Sequence, residues 1–174
     1  IGHAVTQCAD HIAGGVHHAL HDTTDHRNRA QRIADLPDTV TDEVEDAVGG
    51  ADCVVTGSIN PRVGVDGKNY AIGFQLSLPD QWHGRFLFIG GGGNDGVLRD
   101  TSLSSSISGG TASPLGQGFA VVSTDAGHSG TSASFGADPQ ARIDHAYNSY
   151  DKTAVSAKSL IATHYGRKPD RSYF

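Results

Sequence analysis

A short apolar run, Arg85-Phe86-Leu87-Phe88-Ile89, ends in four consecutive glycines, Gly90 to Gly93, followed by Asn94-Asp95-Gly96. No other feature constrains the fold as tightly. A brief continuous apolar run bounded by a turn signal reads as a strand buried on both faces. Glycine lacks a Cβ, accepts positive φ and leaves its N–H uncovered, at a cost in chain entropy. Four in a row at the tip of a buried strand mark a backbone that something approaches closely. The natural occupant is an anion, either a phosphate or the oxyanion of a tetrahedral intermediate.

The 174 residues suffice for one domain or part of a larger one. A hydrophobic share of 37% and a charged share of 18% place the chain among globular proteins. With a formal net charge of −6 and no basic cluster, nucleic acid is not an expected partner. No apolar run approaches the roughly 20 residues of a membrane span, so no membrane partner is expected. Glycine, at 23 of 174, points to a loop-rich α/β or all-β scaffold. Methionine is missing even at position 1, which reads as a processed leader or a trimmed tag.

Residues 1–50 are polar and irregular, with weak helical stretches over Ala4 to Ala19 and Ala30 to Leu36 and a turn at Pro37-Asp38. From residue 51 the pattern changes. Cys53 to Ile59 reads as a strand stopped by Asn60-Pro61, and Asp66-Gly67 as a turn. Tyr70, Ile72, Phe74, Leu76 and Leu78 alternate along a half-buried strand, which closes a hairpin. Phe119 to Thr124 is a second run of the doubly buried kind. Between these runs, Ser102 to Gly110 reads as a Ser/Gly-rich loop and Ser113 to Gly118 as a closing connection. Asp144 to His164 shows helical periodicity through Ala146, Tyr150, Ala154, Ala157, Leu160 and Ile161, and Gly166 terminates it. Arg171 to Phe174 starts another strand. The predicted class is α/β: an antiparallel hairpin leading into a parallel sheet with a crossover helix, the entry pattern of an α/β-hydrolase domain over residues 51–174.

Four ordered blocks resemble one family. They are Leu78-Pro79-Asp80-Gln81-Trp82-His83-Gly84-Arg85-Phe86 with its glycines, Gly118 to His128, Phe135 to Asp144, and Tyr165 to Phe174. Together they resemble the tannase and feruloyl esterase family. His83 departs from the family's usual Asn between a matching Trp and Gly. The resemblance implies a secreted or periplasmic serine esterase acting on esters of aromatic acids such as gallate, ferulate or a terephthalate monoester. It implies a nucleophile in a Gly-Cys-Ser-x-Gly-Gly elbow one residue beyond the Ser-Tyr-Phe strand, with Asp and His far downstream and a lid inserted late. All of these fall outside this chain, as does any calcium in the lid. The expected partners are therefore the remaining C-terminal polypeptide and a small aromatic ester. No cofactor is expected on the residues present, and the chain alone is expected to be inactive. A further expectation is that Arg171 to Phe174 is paired and buried only when that polypeptide is present.

The resemblance gives the glycine loop a role: one oxyanion-hole amide from Gly91, Gly92 or Gly93, with Gly92 or Gly93 preferred by position. Asn94, Asp95, Asp125 and His128 become candidates for the active-site wall. Asp125 and His128 follow a buried strand, where sites form in α/β folds. They are not expected to form a triad with Ser123, which sits inside that strand. In a secreted chain Cys8 and Cys53 most simply pair, two separate buried thiols being the alternative. His3, His11, His17, His18, His21 and His26 crowd the N-terminus, but no carboxylate or cysteine completes a metal set there, and a solvated surface is expected. Two rivals remain. A nucleotide-binding module is disfavoured because no Lys-Ser/Thr follows the glycines and no G-x-G-x-x-G enters a helix. A non-catalytic secreted interaction domain with an anion-binding glycine loop is the alternative reading.

Overall fold

The structure is a computed structural model that describes residues 53–101 and 113–174. Cys8, the N-terminal histidines, the weak helical stretches and the Ser/Gly-rich loop lie outside the described residues, and the Cys8–Cys53 pairing with them. Five strands form one sheet: β1 (Cys53–Val63), β2 (Asn69–Leu78), β3 (Arg85–Ile89), β4 (Phe119–Thr124) and β5 (Arg171–Tyr173). Their order is β1-β2-β4-β3-β5. β2 runs antiparallel to both of its neighbours, β1 and β4, whereas β4, β3 and β5 run parallel. The predicted hairpin followed by parallel strands is thus present.

The alternation along β2 sorts its side chains as expected. Ile72, Phe74, Leu76 and Leu78 are almost wholly buried, together with Val55, Ile59, Phe86, Phe88, Ala120 and Val122. A helix covers this face: α2 (Ser149–Tyr165), preceded by the short α1 (Pro139–Ile143) and one wide turn over Asp144–Asn148. Ala157 and Ile161 of α2 reach the core. Gly166 ends α2 in the left-handed conformation, φ 69°, as the sequence predicts. On the opposite face Ile89, Leu115 and Val121 form a smaller cluster with Leu87 and Phe119.

Two boundaries differ from expectation. Asn60-Pro61 does not stop β1. Asn60 takes φ 54°, the register shifts between Ile59 and Arg62, and the strand resumes to Val63. Proline is tolerated there because an irregularity in the ladder asks nothing of its missing N–H. At the other end, β5 pairs with β3 within this chain, yet all three of its residues are exposed. Pairing therefore arises without further polypeptide, contrary to expectation, whereas the exposure of the strand in this chain is as expected. Backbone pairing with β3 sets the strand, and the Tyr173 ring adds an edge contact with Phe119 at 5.7 Å.

A ring stack ties the end of α2 to the start of β3. Trp82 and Tyr165 lie 4.2 Å apart, and the Arg167 guanidinium lies 4.5 Å from the Trp82 ring. The Tyr165 hydroxyl donates to the Pro79 carbonyl at 2.6 Å. Tyr165→Phe keeps the stack and removes that bond, so it is expected to cost about 1 kcal/mol. An unchanged midpoint in chemical denaturation would refute this.

Candidate active-site edge

Because β3 and β4 are parallel neighbours, their C-terminal tips open on the same sheet edge. The glycine loop leaves the tip of β3, and the Asp125-to-Ser129 loop leaves the tip of β4. Backbone bonds join the two loops. The Gly96 amide donates to the Asp125 carbonyl at 3.0 Å, and the Gly130 amide to the Gly96 carbonyl at 2.8 Å. Asn94 adds a side-chain bond, its Nδ2 donating to the Thr131 carbonyl at 3.0 Å. Gly96 must be glycine, since it has φ 81° and a Cβ there would collide with the Gly130 backbone.

Within the glycine loop one amide is already engaged. Gly92 N–H donates to Asp95 Oδ1 at 2.6 Å, while the Asp95 amide returns a bond to the Gly92 carbonyl at 3.2 Å. Asp95 Oδ2 accepts from the Tyr150 hydroxyl at 3.0 Å. Gly91 and Gly93 are exposed, and their amides donate to nothing among the described residues. The loop thus presents uncovered donors on either side of an amide saturated by an internal carboxylate.

The Asp125 carboxylate bonds to β2 rather than to the glycine loop. Its Oδ1 accepts from the Gly73 amide at 3.0 Å and the Gly127 amide at 2.8 Å. Burial pushes its carboxyl up to about 6, against the opposing pull of those amides. It borders a groove of about 470 Å³ that also involves Ser58, Arg62, Tyr70 and Ser129. His128 is 2% exposed and stacks on Phe135 at 3.8 Å, with His145 5.4 Å away. Neither of its ring nitrogens has an aligned partner among the described residues, and burial, with His145 adding to it, holds the imidazole below its ordinary value.

The two loops therefore bring Gly91 to Gly93, Asn94 and Asp95 together with the backbone of Asp125. They do not bring the Asp125 carboxylate to the His128 ring. Ser123 is buried in β4, its Oγ donating to the Arg99 carbonyl at 2.8 Å, so it takes no part with either residue. Among the described residues no group of three or more His, Cys, Asp or Glu side chains could hold a metal, and no helix is long and apolar enough to cross a membrane.

Two features were missed by sequence reasoning. Tyr150 reads as one more apolar position of α2, although a tyrosine on a buried helical face calls for a polar partner. The Arg62–Asp138 pair lies 76 residues apart in the chain, which local pattern does not reach. Arg62 donates to Asp138 Oδ1 at 2.6 Å and holds that carboxyl well below the usual carboxylate range. Asp138 also caps α1 through the Ala141 amide at 2.7 Å and accepts from Val65 at 2.9 Å. This pair pins the β1–β2 hairpin to the segment that leads into α2.

Residues 53–174 match the family model described as tannase and feruloyl esterase. The chain is 43% identical over 132 residues to mono(2-hydroxyethyl) terephthalate hydrolase of Piscinibacter sakaiensis, covering 70% of this chain and 22% of that protein. It is 34% identical over 101 residues to a probable feruloyl esterase B-2 of Aspergillus flavus, covering 58% of this chain and 18% of the other. The crystal structure of feruloyl esterase B from Aspergillus oryzae superposes with a TM-score of 0.56 at 26% identity, over 70% of this chain and 22% of that one. The chain spans about a fifth of the length of these relatives. The mixed sheet with its covering helix is accordingly of the α/β-hydrolase type. By the match over residues 53–174, the chain belongs to the tannase and feruloyl esterase family.

Proposed function

We propose that this chain supplies the oxyanion-hole loop of a secreted or periplasmic serine carboxylic ester hydrolase acting on esters of aromatic acids. The observation that carries the reading is the exposed glycine loop at the tip of β3, with uncovered amides at Gly91 and Gly93. Such donors stabilise charge that develops on a carbonyl oxygen during acyl transfer, and they need no reorganisation at that moment. With Gly92 N–H held by Asp95, the donor is Gly91 or Gly93. A serine elbow beyond Phe174 supplies the nucleophile and the second amide, and His and Asp further on activate it. Asn94, with the loop of Asp125 and His128 behind it, forms the wall beside the reacting carbonyl. The acyl transfer needs no cofactor on these residues, and any calcium belongs to the lid. The partners are the remaining polypeptide and the ester.

The test compares the full-length protein with the 174-residue chain. Methyl ferulate, methyl gallate and a terephthalate monoester are the substrates, with and without a serine-directed inhibitor. Hydrolysis by the full-length protein, abolished by the inhibitor and absent from the short chain, is the expected result. Activity that survives the inhibitor, or that the short chain shows alone, overturns the reading. So does an inert full-length protein whose glycine loop merely binds phosphate.

A further inference from the structure

We propose that Asp95 and Tyr150 form a positioning pair that locks the glycine loop against the tip of β5. The inference rests on the esterase reading for its catalytic consequence but not for the pairing itself. Asp95 bridges two elements with its two oxygens: Oδ1 takes the Gly92 amide at 2.6 Å, and Oδ2 takes the Tyr150 hydroxyl at 3.0 Å. Tyr150 stands on α2, a rigid element that packs on the sheet. Its ring meets Phe88 of β3 at 5.7 Å and Phe174, just past β5, at 5.9 Å. Phe174 in turn lies beside Gly90, where a Cβ would come within 3.2 Å of its ring. One tyrosine therefore touches the strand that feeds the loop, the carboxylate that shapes the loop, and the chain just beyond β5.

Asp95 adopts φ 50°, a left-handed conformation that aspartate takes more readily than most residues, and this turns its carboxylate back on the loop. Its carboxylate fills the space that a Cβ at Gly91 would occupy. Burial and the adjacent Asp95 push the Tyr150 phenol above its ordinary value, which keeps the hydroxyl a donor. The carboxylate acts as an internal acceptor for the loop. It saturates the Gly92 amide and leaves the flanking donors uncovered. In an oxyanion hole the separation between the loop amide and the elbow amide sets the rate, and a displacement of about 1 Å can cost about 10²-fold. A strut from the loop to the end of β5 fixes that separation.

Tyr150→Phe tests the strut with little disturbance, since the ring and its aromatic contacts stay. Asp95→Gly removes both acceptors and tolerates the positive φ. In the full-length protein assayed on methyl ferulate, each variant is expected to lower kcat by about tenfold or more with KM nearly unchanged. The double variant is expected to be little worse than either single one, because the two groups act as a unit. An unchanged kcat, a loss confined to KM, or additive losses overturns the proposal. Hydrogen exchange over residues 90–96 gives a readout independent of activity. Faster exchange in Tyr150→Phe than in the wild type, at equal Tm, supports the pairing; equal exchange overturns it. If the wild type hydrolyses no ester, the esterase reading fails while the exchange measurement still decides the pair.

Discussion

Gly91→Ala in the full-length protein is expected to lower kcat/KM on an aromatic ester by about 10²–10³, the usual cost of one oxyanion donor. A Cβ at this position would fall on the Asp95 carboxylate. Either Asp95 leaves the loop, freeing the Gly92 amide and the Tyr150 hydroxyl, or the Gly91 backbone turns and its amide with it. Both routes remove the arrangement in which the flanking amides face outward. Gly92→Ala is the discriminating comparison. Its Cβ would meet nothing within 4 Å and its φ is not positive, so a much smaller loss is expected. The loop is exposed, so the Gly91 variant should unfold near the wild-type Tm, which separates a catalytic from a structural effect. A Gly91→Ala enzyme as active as Gly92→Ala would remove Gly91 as the donor and leave that role to Gly93.

The contrast between these neighbours shows what was legible in the sequence. The four glycines after an apolar run announced a close approach to backbone, and alternation along β2 announced its buried face. Both signals act within a few residues, at the periods of strand and turn. What filled the glycine loop was not legible. Asp95 reads as a polar residue in a turn, and its partner Tyr150 lies 55 residues further on. Register across the sheet had to be in place before the two could meet. The same holds for Arg62 and Asp138, and for the bulge at Asn60-Pro61, where the ladder to β2 overrode a local stop signal. Sequence placed Asp125 and His128 together on a sheet edge. Only the structure shows the carboxylate turned to Gly73 and the imidazole stacked on Phe135.

That orientation makes Asp125 the source of a pH-dependent cost. Its carboxyl rises from 3.8 to about 6 on folding, chiefly because burial disfavours the charged form. A raised folded-state value means that the native state binds the proton more tightly than the unfolded chain. The stabilisation is therefore fully present below about pH 4 and is lost as pH climbs through about 6. At neutral pH the ionised group carries a penalty of at most roughly 3 kcal/mol. Both amide bonds, from Gly73 and Gly127, go to the same oxygen, Oδ1. An asparagine can present its carbonyl oxygen there, keep both bonds and never ionise. Asp125→Asn is thus expected to raise Tm at pH 7.5 and to flatten the stability decline between about pH 4 and 6. Denaturation measured across that range checks both effects at once. A variant less stable than wild type at pH 7.5 would show that the charge itself holds the β4 loop. A more stable variant that hydrolyses its ester more slowly would show that the native chain keeps a costly carboxylate for function rather than for its fold.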